Sequence, residues 1–245
     1  LCGMSKSGQQ AGDQGQHRIS AVYLRQFGFQ KSGQWKITAI EKSKKDHMLK
    51  IGRRWTSEKS IDSATVGTNE FDLIGAEPSL RRLLEDEFGK IETSYPQIIA
   101  ELHSGSVTDE TVAKLTHFIA SIAIRQYSVR QVIDTIIRSS NGHRFLEDMC
   151  MWFKADREAL VAVVETAPME HRLNHACVLA WSHISMTLST FHVVIMKDYD
   201  NSGWQTCDEP VLLTYNYTPN SILSVDMELY FPLSKDFCLF MYHPK

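Results

Sequence analysis

The chain has 245 residues, 43% hydrophobic and 22% charged, with a formal net charge of −3. That is ordinary globular composition, with enough length to bury a real core in one large domain or two small ones. The near-neutral balance argues against a protein that is basic throughout. The five cysteines (Cys2, Cys150, Cys177, Cys207 and Cys238) are too scattered for a zinc knuckle or a disulfide scaffold.

The charge is uneven along the chain. Residues 1–62 carry 12 Lys/Arg against 5 Asp/Glu, about +7, whereas residues 187–245 carry 3 against 7, about −4. A basic N-terminal region can steer an anionic substrate or nucleic acid, and it can equally be a solvated surface. Residues 1–16 are rich in Gly, Gln and Ser and lack the apolar stretch of a signal peptide, so a disordered tail is expected there, with Met4 as the natural start. No apolar run approaches the roughly 18 residues of a membrane span. Unpaired, scattered cysteines fit a reducing compartment, and the expected location is cytoplasmic.

Order is expected from His17. Ile19, Val22, Tyr23 and Phe27 fall at helical spacing and predict a short helix. Residues 35–40 (WKITAI) alternate as a half-buried strand does; residues 42–46 read as a turn and Met48–Ile51 as a returning strand. Residues 62–75 read as a loop. Leu80, Leu83, Leu84, Phe88, Ile91, Tyr95, Ile98, Ile99 and Leu102 form the core stripe of one long helix, which Pro96 should kink or interrupt. Thr108–Asp109 offers a cap for a second helix with Leu115, Phe118, Ile119 and Ile122 inward. Val129 to Ile137 continue that pattern or begin a third helix, stopped at Asn141–Gly142. Residues 145–166 and 169–188 predict two more, with Pro168 suited to a first turn.

The period then changes. Residues 191–196, 211–215, 227–231 and 237–242 predict strands, with a hairpin-like loop at 198–203. Strands, helices and strands in that order indicate an α+β fold: a central bundle of about five helices packed with a mostly antiparallel sheet, in which the N-terminal hairpin joins the C-terminal strands. Residues 17–245 are expected to form a single α+β domain.

The chain has no Gly-rich phosphate loop, nucleophile elbow, HExxH or dinucleotide fingerprint. His171 and His175 share a helix face and could hold zinc, but no acidic residue or cysteine accompanies them at ligand spacing; the reading is that there is no metal site. Glu77, Glu85, Glu87 and Glu92 lie along the first long helix, where carboxylates either do acid–base work or form its solvated face. Arg125 follows the apolar run 118–124, so its guanidinium must find carboxylate or phosphate partners. In residues 205–212 (QTCDEPVL), Pro210 holds Glu209 extended, which sends Asp208 and Glu209 to opposite sides.

These pieces fall in a familiar order. Residues 17–27 (HRISAVYLRQF) are similar to an N-terminal His–x5–Tyr–Leu–x2–Phe pattern. Residues 118–125 look like a helical segment ending in Arg, and 206–211 (TCDEPV) resemble a Ser/Thr–x–Asp–Asn–Pro–Val strand entry. Residues 231–234 match a closing Phe–Pro–Leu–Ser. Together they resemble domain of unknown function 4238, found widely in microbes. The resemblance puts His17, Arg125, Asp208 and Pro210 on motif positions. Glu209 stands where Asn is usual, and the chain stops soon after Ser234 where relatives usually run on, which implies a shortened C-terminus.

The resemblance supplies no reaction and no cofactor. One expectation is a hydrolase-like or nucleic-acid-directed enzyme with His17, Arg125 and Asp208 as catalytic groups, flanked by Arg18 and Glu209 as binding groups. The other is a non-catalytic binding module in which these residues form structural hydrogen bonds and ion pairs.

Overall fold

The structure is a computed structural model; it describes residues 15–40, 56–64, 66–68, 70–73, 76, 81–150, 156–214 and 227–244. Strand β1 (Gly15–His17) pairs antiparallel with β5 (Val66–Thr68), with His17 opposite Val66. The disordered tail expected over residues 1–16 is corrected at its end, where Gly15 and Gln16 lie in β1; residues 1–14 lie outside the described residues. Helix α1 (Ala21–Leu24) is a single turn; of the predicted apolar face Ile19, Tyr23 and Phe27 are buried, Val22 is half-buried, and Leu24 is buried as well.

Strands β2 (Phe29–Lys31) and β3 (Gln34–Ile40) form a hairpin about Ser32 and Gly33, whose φ angles are 53° and 76°. Two positive φ values give the turn that matches strand twist, and Gly33 adopts one without steric cost. β4 (Thr56–Ser60) pairs along the other edge of β3. The turn expected at 42–46 and the strand expected at 48–51 lie outside the described residues.

The predicted long helix is interrupted. α2 (Leu83–Glu92) and α3 (Tyr95–Ser104) are separated at Thr93–Ser94, and Pro96 sits in the first turn of α3, where its missing N–H breaks no helical bond. α4 (Asp109–Arg125) begins at a reciprocal cap in which Thr108 Oγ1 accepts from the Thr111 amide and Thr111 Oγ1 accepts from the Thr108 amide. Gln126, extended at φ −67° and ψ 138°, ends α4 and starts α5 (Tyr127–Ile137).

Gly142 opens α6 (Gly142–Met149) rather than stopping a helix, because the chain has already turned over the residues after Ile137. α7 (Arg157–Thr166) is separate from α6 and starts at an Asp156 cap, so the expected 145–166 helix is two. α8 (Met169–Leu188) has the predicted bounds, with Pro168 just ahead of it as the cap residue.

Strands β6 (His192–Lys197), β7 (Leu212–Thr214), β8 (Glu228–Pro232) and β9 (Phe237–Tyr242) form an antiparallel sheet in the order β6-β9-β8-β7. The fold is α+β with a helical centre. The expectation that the N-terminal hairpin joins this sheet is corrected: β2-β3-β4 is a sheet of its own. β3 pairs with β2 through a two-residue turn on one side and with β4 on the other, and among the described residues neither of these outer strands pairs with a C-terminal strand.

One connected core joins these parts, and Tyr23 lies near its middle, fully buried. Its ring stacks on Phe231 of β8 at 5.0 Å and leans on Phe27, Tyr95 and Phe118 at 5.2, 6.0 and 6.3 Å. Tyr95 stacks on Phe118 at 4.0 Å and donates to the Leu233 carbonyl at 2.6 Å. The Tyr23 hydroxyl shares a 2.7 Å hydrogen bond with Thr206 Oγ1. Burial drives the Tyr23 phenol far above the usual tyrosine range, so it remains a neutral hydroxyl at all physiological pH. Phe118→Ala is expected to destabilise by about 3–5 kcal/mol in urea unfolding, whereas Tyr23→Phe loses only the hydrogen bond, about 1 kcal/mol.

Candidate functional site

The last turn of α4 carries Arg125, whose side chain is 2% exposed. Its Nη2 donates to Glu92 Oε1 of α2 at 2.7 Å, its Nε donates to the Ser121 carbonyl at 3.0 Å, and its guanidinium lies 4.4 Å from the centre of the Phe88 ring. Glu85, Phe88 and Glu92 recur at i, i+3 and i+7 on α2, so two carboxylates flank the ring that Arg125 covers. The partner that an arginine in an apolar run requires is therefore Glu92, from the first long helix.

Glu85 is less well served. Its Oε2 is buried without a hydrogen-bond partner, and burial raises its pKa more than Arg125 lowers it. The indole Nε1 of Trp181, whose ring meets the Phe88 ring edge-on at 5.6 Å, is likewise buried and without a partner.

A second polar network ties the N-terminal strand to the helices. Gln16 donates to Asp72 Oδ1 at 2.7 Å and accepts from the Phe71 amide at 2.6 Å. Asp72 also binds Arg81 at 2.8 Å. Asn174 of α8 donates to the Glu70 and Asp72 carbonyls and accepts from Arg130 of α5 at 2.7 Å. Sequence reasoning missed this network. Gln16 and Asp72 fall where a tail and a loop were expected, and no periodicity marks a side chain whose partner is set by the fold.

Residues 204–211 cross from the C-terminal sheet to the helices. Thr206 reaches Tyr23, Pro210 is buried, and Gln126 Nε2 donates to the Val211 carbonyl at 3.3 Å. Glu209 reaches the start of α5, where its Oε1 accepts from the Ser128 amide at 2.8 Å. That amide is one of the first-turn donors of α5 that have no helical partner, so Glu209 caps α5 and complements its dipole. Asp208, the preceding residue, is exposed.

Beside this cap lies an open groove of about 300 Å³, lined by Ser128, Val129 and Val132 of α5, Glu209, and Val211 to Leu213. Val132 and Leu212 are 41% and 50% exposed.

The sequence-predicted site residues therefore fall at three places. Arg125 lies inside the helical core on Glu92. Glu209 lines the groove, with Asp208 next to it in the chain. His17 lies in β1, next to the Gln16 network, and Arg18 is exposed with its Nε 2.7 Å from Glu70 Oε2. Only the segment 204–211 spans two of these neighbourhoods: residue 206 meets Tyr23, and residues 211 and 209 meet Gln126 and Ser128 at the α4–α5 junction.

His175 Nδ1 lies 3.1 Å from the His171 carbonyl, within its own helix. Among the described residues, no group of three or more His, Cys, Asp or Glu side chains could hold a metal ion, and no helix is long and apolar enough to cross a membrane. Cys150, Cys177, Cys207 and Cys238 are free thiols; burial pushes Cys238 up to about 11.

An α+β fold pinned by motifs from both ends of the chain defines the class. The chain belongs to the family described as Protein of unknown function (DUF4238), whose model matches residues 15–245. No curated protein and no solved structure matches it.

Arg125→Met is expected to cost about 3–5 kcal/mol, because it strands Glu92, and the double variant Arg125→Met/Glu92→Leu is expected to recover part of that loss in urea titrations. Glu85 has the opposite pH signature to a salt-bridged carboxylate. Its folded pKa is raised, so its contribution is fully present below about pH 4.3 and is lost as pH rises through the folded value. Glu85→Gln should flatten that part of the stability–pH curve and stabilise the protein at neutral pH.

Proposed function

We propose that this chain is a binding module of the microbial cytoplasm, a single domain whose recognition surface is the groove between α5 and β7. One observation carries the reading. Arg125 and Glu209 are committed to partners within the chain, while the groove beside Glu209 is mostly apolar and open. Ligand sites are typically concave and mostly apolar, with a few placed polar groups. Free thiols at four described cysteines support the reducing location.

The variant Arg125→Met/Asp208→Leu tests this reading. A structural role predicts a lower melting temperature with unchanged capacity for an apolar fluorescent probe that binds the groove. Loss of that capacity in the folded variant would overturn it.

A second reading, a hydrolase-like or nucleic-acid-directed enzyme built on His17, Arg125 and Asp208, is favoured by one feature. Glu85 keeps a buried carboxyl oxygen unpartnered beside a buried arginine, and such perturbed groups concentrate at functional sites. In this reading the basic N-terminal region attracts the anionic substrate, and Arg18 and Glu209 assist binding. Assays of the purified protein on phosphodiesters, esters and single-stranded nucleic acid decide the matter: turnover abolished by Glu85→Gln or Asp208→Asn in folded variants would replace the binding-module reading.

A further inference from the structure

One wall of the groove is formed by β7, a strand at the edge of its sheet. β7 is the last strand of the order β6-β9-β8-β7, so among the described residues it is paired on one side only, by β8. An edge strand presents unpaired backbone donors and acceptors along its outer side. At the entry to β7 a side chain already takes the place of a neighbouring strand. The Gln126 amide donates to the Val211 carbonyl as a backbone amide would, and its Oε1 is left buried without a partner. Gln126 is itself 4% exposed, so this amide is a fixed part of the wall.

The opposite wall is the first two turns of α5, whose Val129 and Val132 line the space together with Leu212 and Leu213. Strand edge and helix together make a slot with backbone hydrogen-bonding groups on one side and an apolar lining on the other. The charge at its mouth is acidic. Glu209 lines it, and exposed Asp208 precedes Glu209 in the chain. Glu228, also exposed, sits opposite Thr214 at the far end of β7. The nearest cation of α5, Arg130, is turned inward onto Asn174.

Resting on the reading of this groove as the recognition surface, we infer that its occupant is an extended peptide that adds a strand to the outer edge of β7, carrying apolar side chains on one face and Lys or Arg on the other. Successive strand residues point to opposite sides, so such a peptide places apolar groups against Val132 and Leu212 and its cations toward the exposed Asp208. Backbone pairing supplies affinity, and the acidic rim supplies selectivity and salt dependence. A second copy of the same edge fits poorly, because isologous antiparallel pairing would bring the acidic start of one β7 toward the Glu228 end of the other.

The test uses the full chain and fluorescein-labelled decapeptides followed by anisotropy. A peptide alternating valine and lysine should bind saturably and more weakly as salt rises. Its counterpart with alternate backbone amides N-methylated should bind at least ten-fold more weakly, and a valine–glutamate peptide should not bind measurably. Leu212→Ser and Val132→Ser, both at exposed positions, should each weaken the valine–lysine peptide several-fold, and Asp208→Asn should reduce the salt dependence.

Equal binding of the N-methylated peptide would overturn strand addition, and equal binding of the acidic peptide would overturn the charge assignment. An apolar dye bound in a Leu212-sensitive manner, with no peptide binding, would sink the peptide inference and leave the groove as the recognition surface. If neither dye nor peptide depends on Leu212 and Val132, both readings fall together.

Discussion

The contact on which the architecture depends is the burial of Tyr23 between the two ends of the chain. Its ring touches Phe118 from the helical middle and Phe231 from the C-terminal sheet, and its hydroxyl meets Thr206. Four segments that carry the family motifs therefore share one side chain. A fully buried hydroxyl needs a partner, because an unpaired one would lose its hydration without compensation. Thr206 provides that partner and so fixes where the segment 204–211 crosses the helices. The placement of Glu209 on α5, and of β7 along that helix, follows from this anchoring.

Arg125 illustrates the same economy in the helical core. A guanidinium in an apolar run is tolerated because Glu92, the Ser121 carbonyl and the Phe88 ring surround it. These partners come from α2 and from one turn earlier in α4, so the ion pair fixes the relative register of the two helices. Glu85, two turns from Glu92 on the same helix, shares the neighbourhood without a hydrogen-bond partner for its inner oxygen. The contrast between these two carboxylates is what keeps an enzymatic reading in play beside the binding one.

The groove differs in kind from both clusters. Its walls are a helix start and a sheet edge, brought together by a connecting segment rather than by complementary side chains. Edge strands in soluble proteins are usually blunted by charge, shortness or cover. β7 is three residues long and has acidic residues near both ends, which discourages indiscriminate pairing while leaving the edge usable by a partner of opposite charge.

The amino-acid sequence by itself determined the α+β order of elements, the core stripes of the helices, the break near Pro96, the Thr108 cap, and the bounds of α8. Each of these depends on side chains within a turn or two of one another, or on a period that repeats along one element. It also marked Arg125 as needing an acidic partner. Only the tertiary structure decided that the partner is Glu92, that Glu209 caps α5, that Gln16 and Asp72 form a buried pair, and that the strands of the two ends stay in separate sheets. Those outcomes rest on contacts between residues from 33 to 81 positions apart and on which strands pair with one another. Such pairings are set by how the elements pack, and no local pattern encodes them.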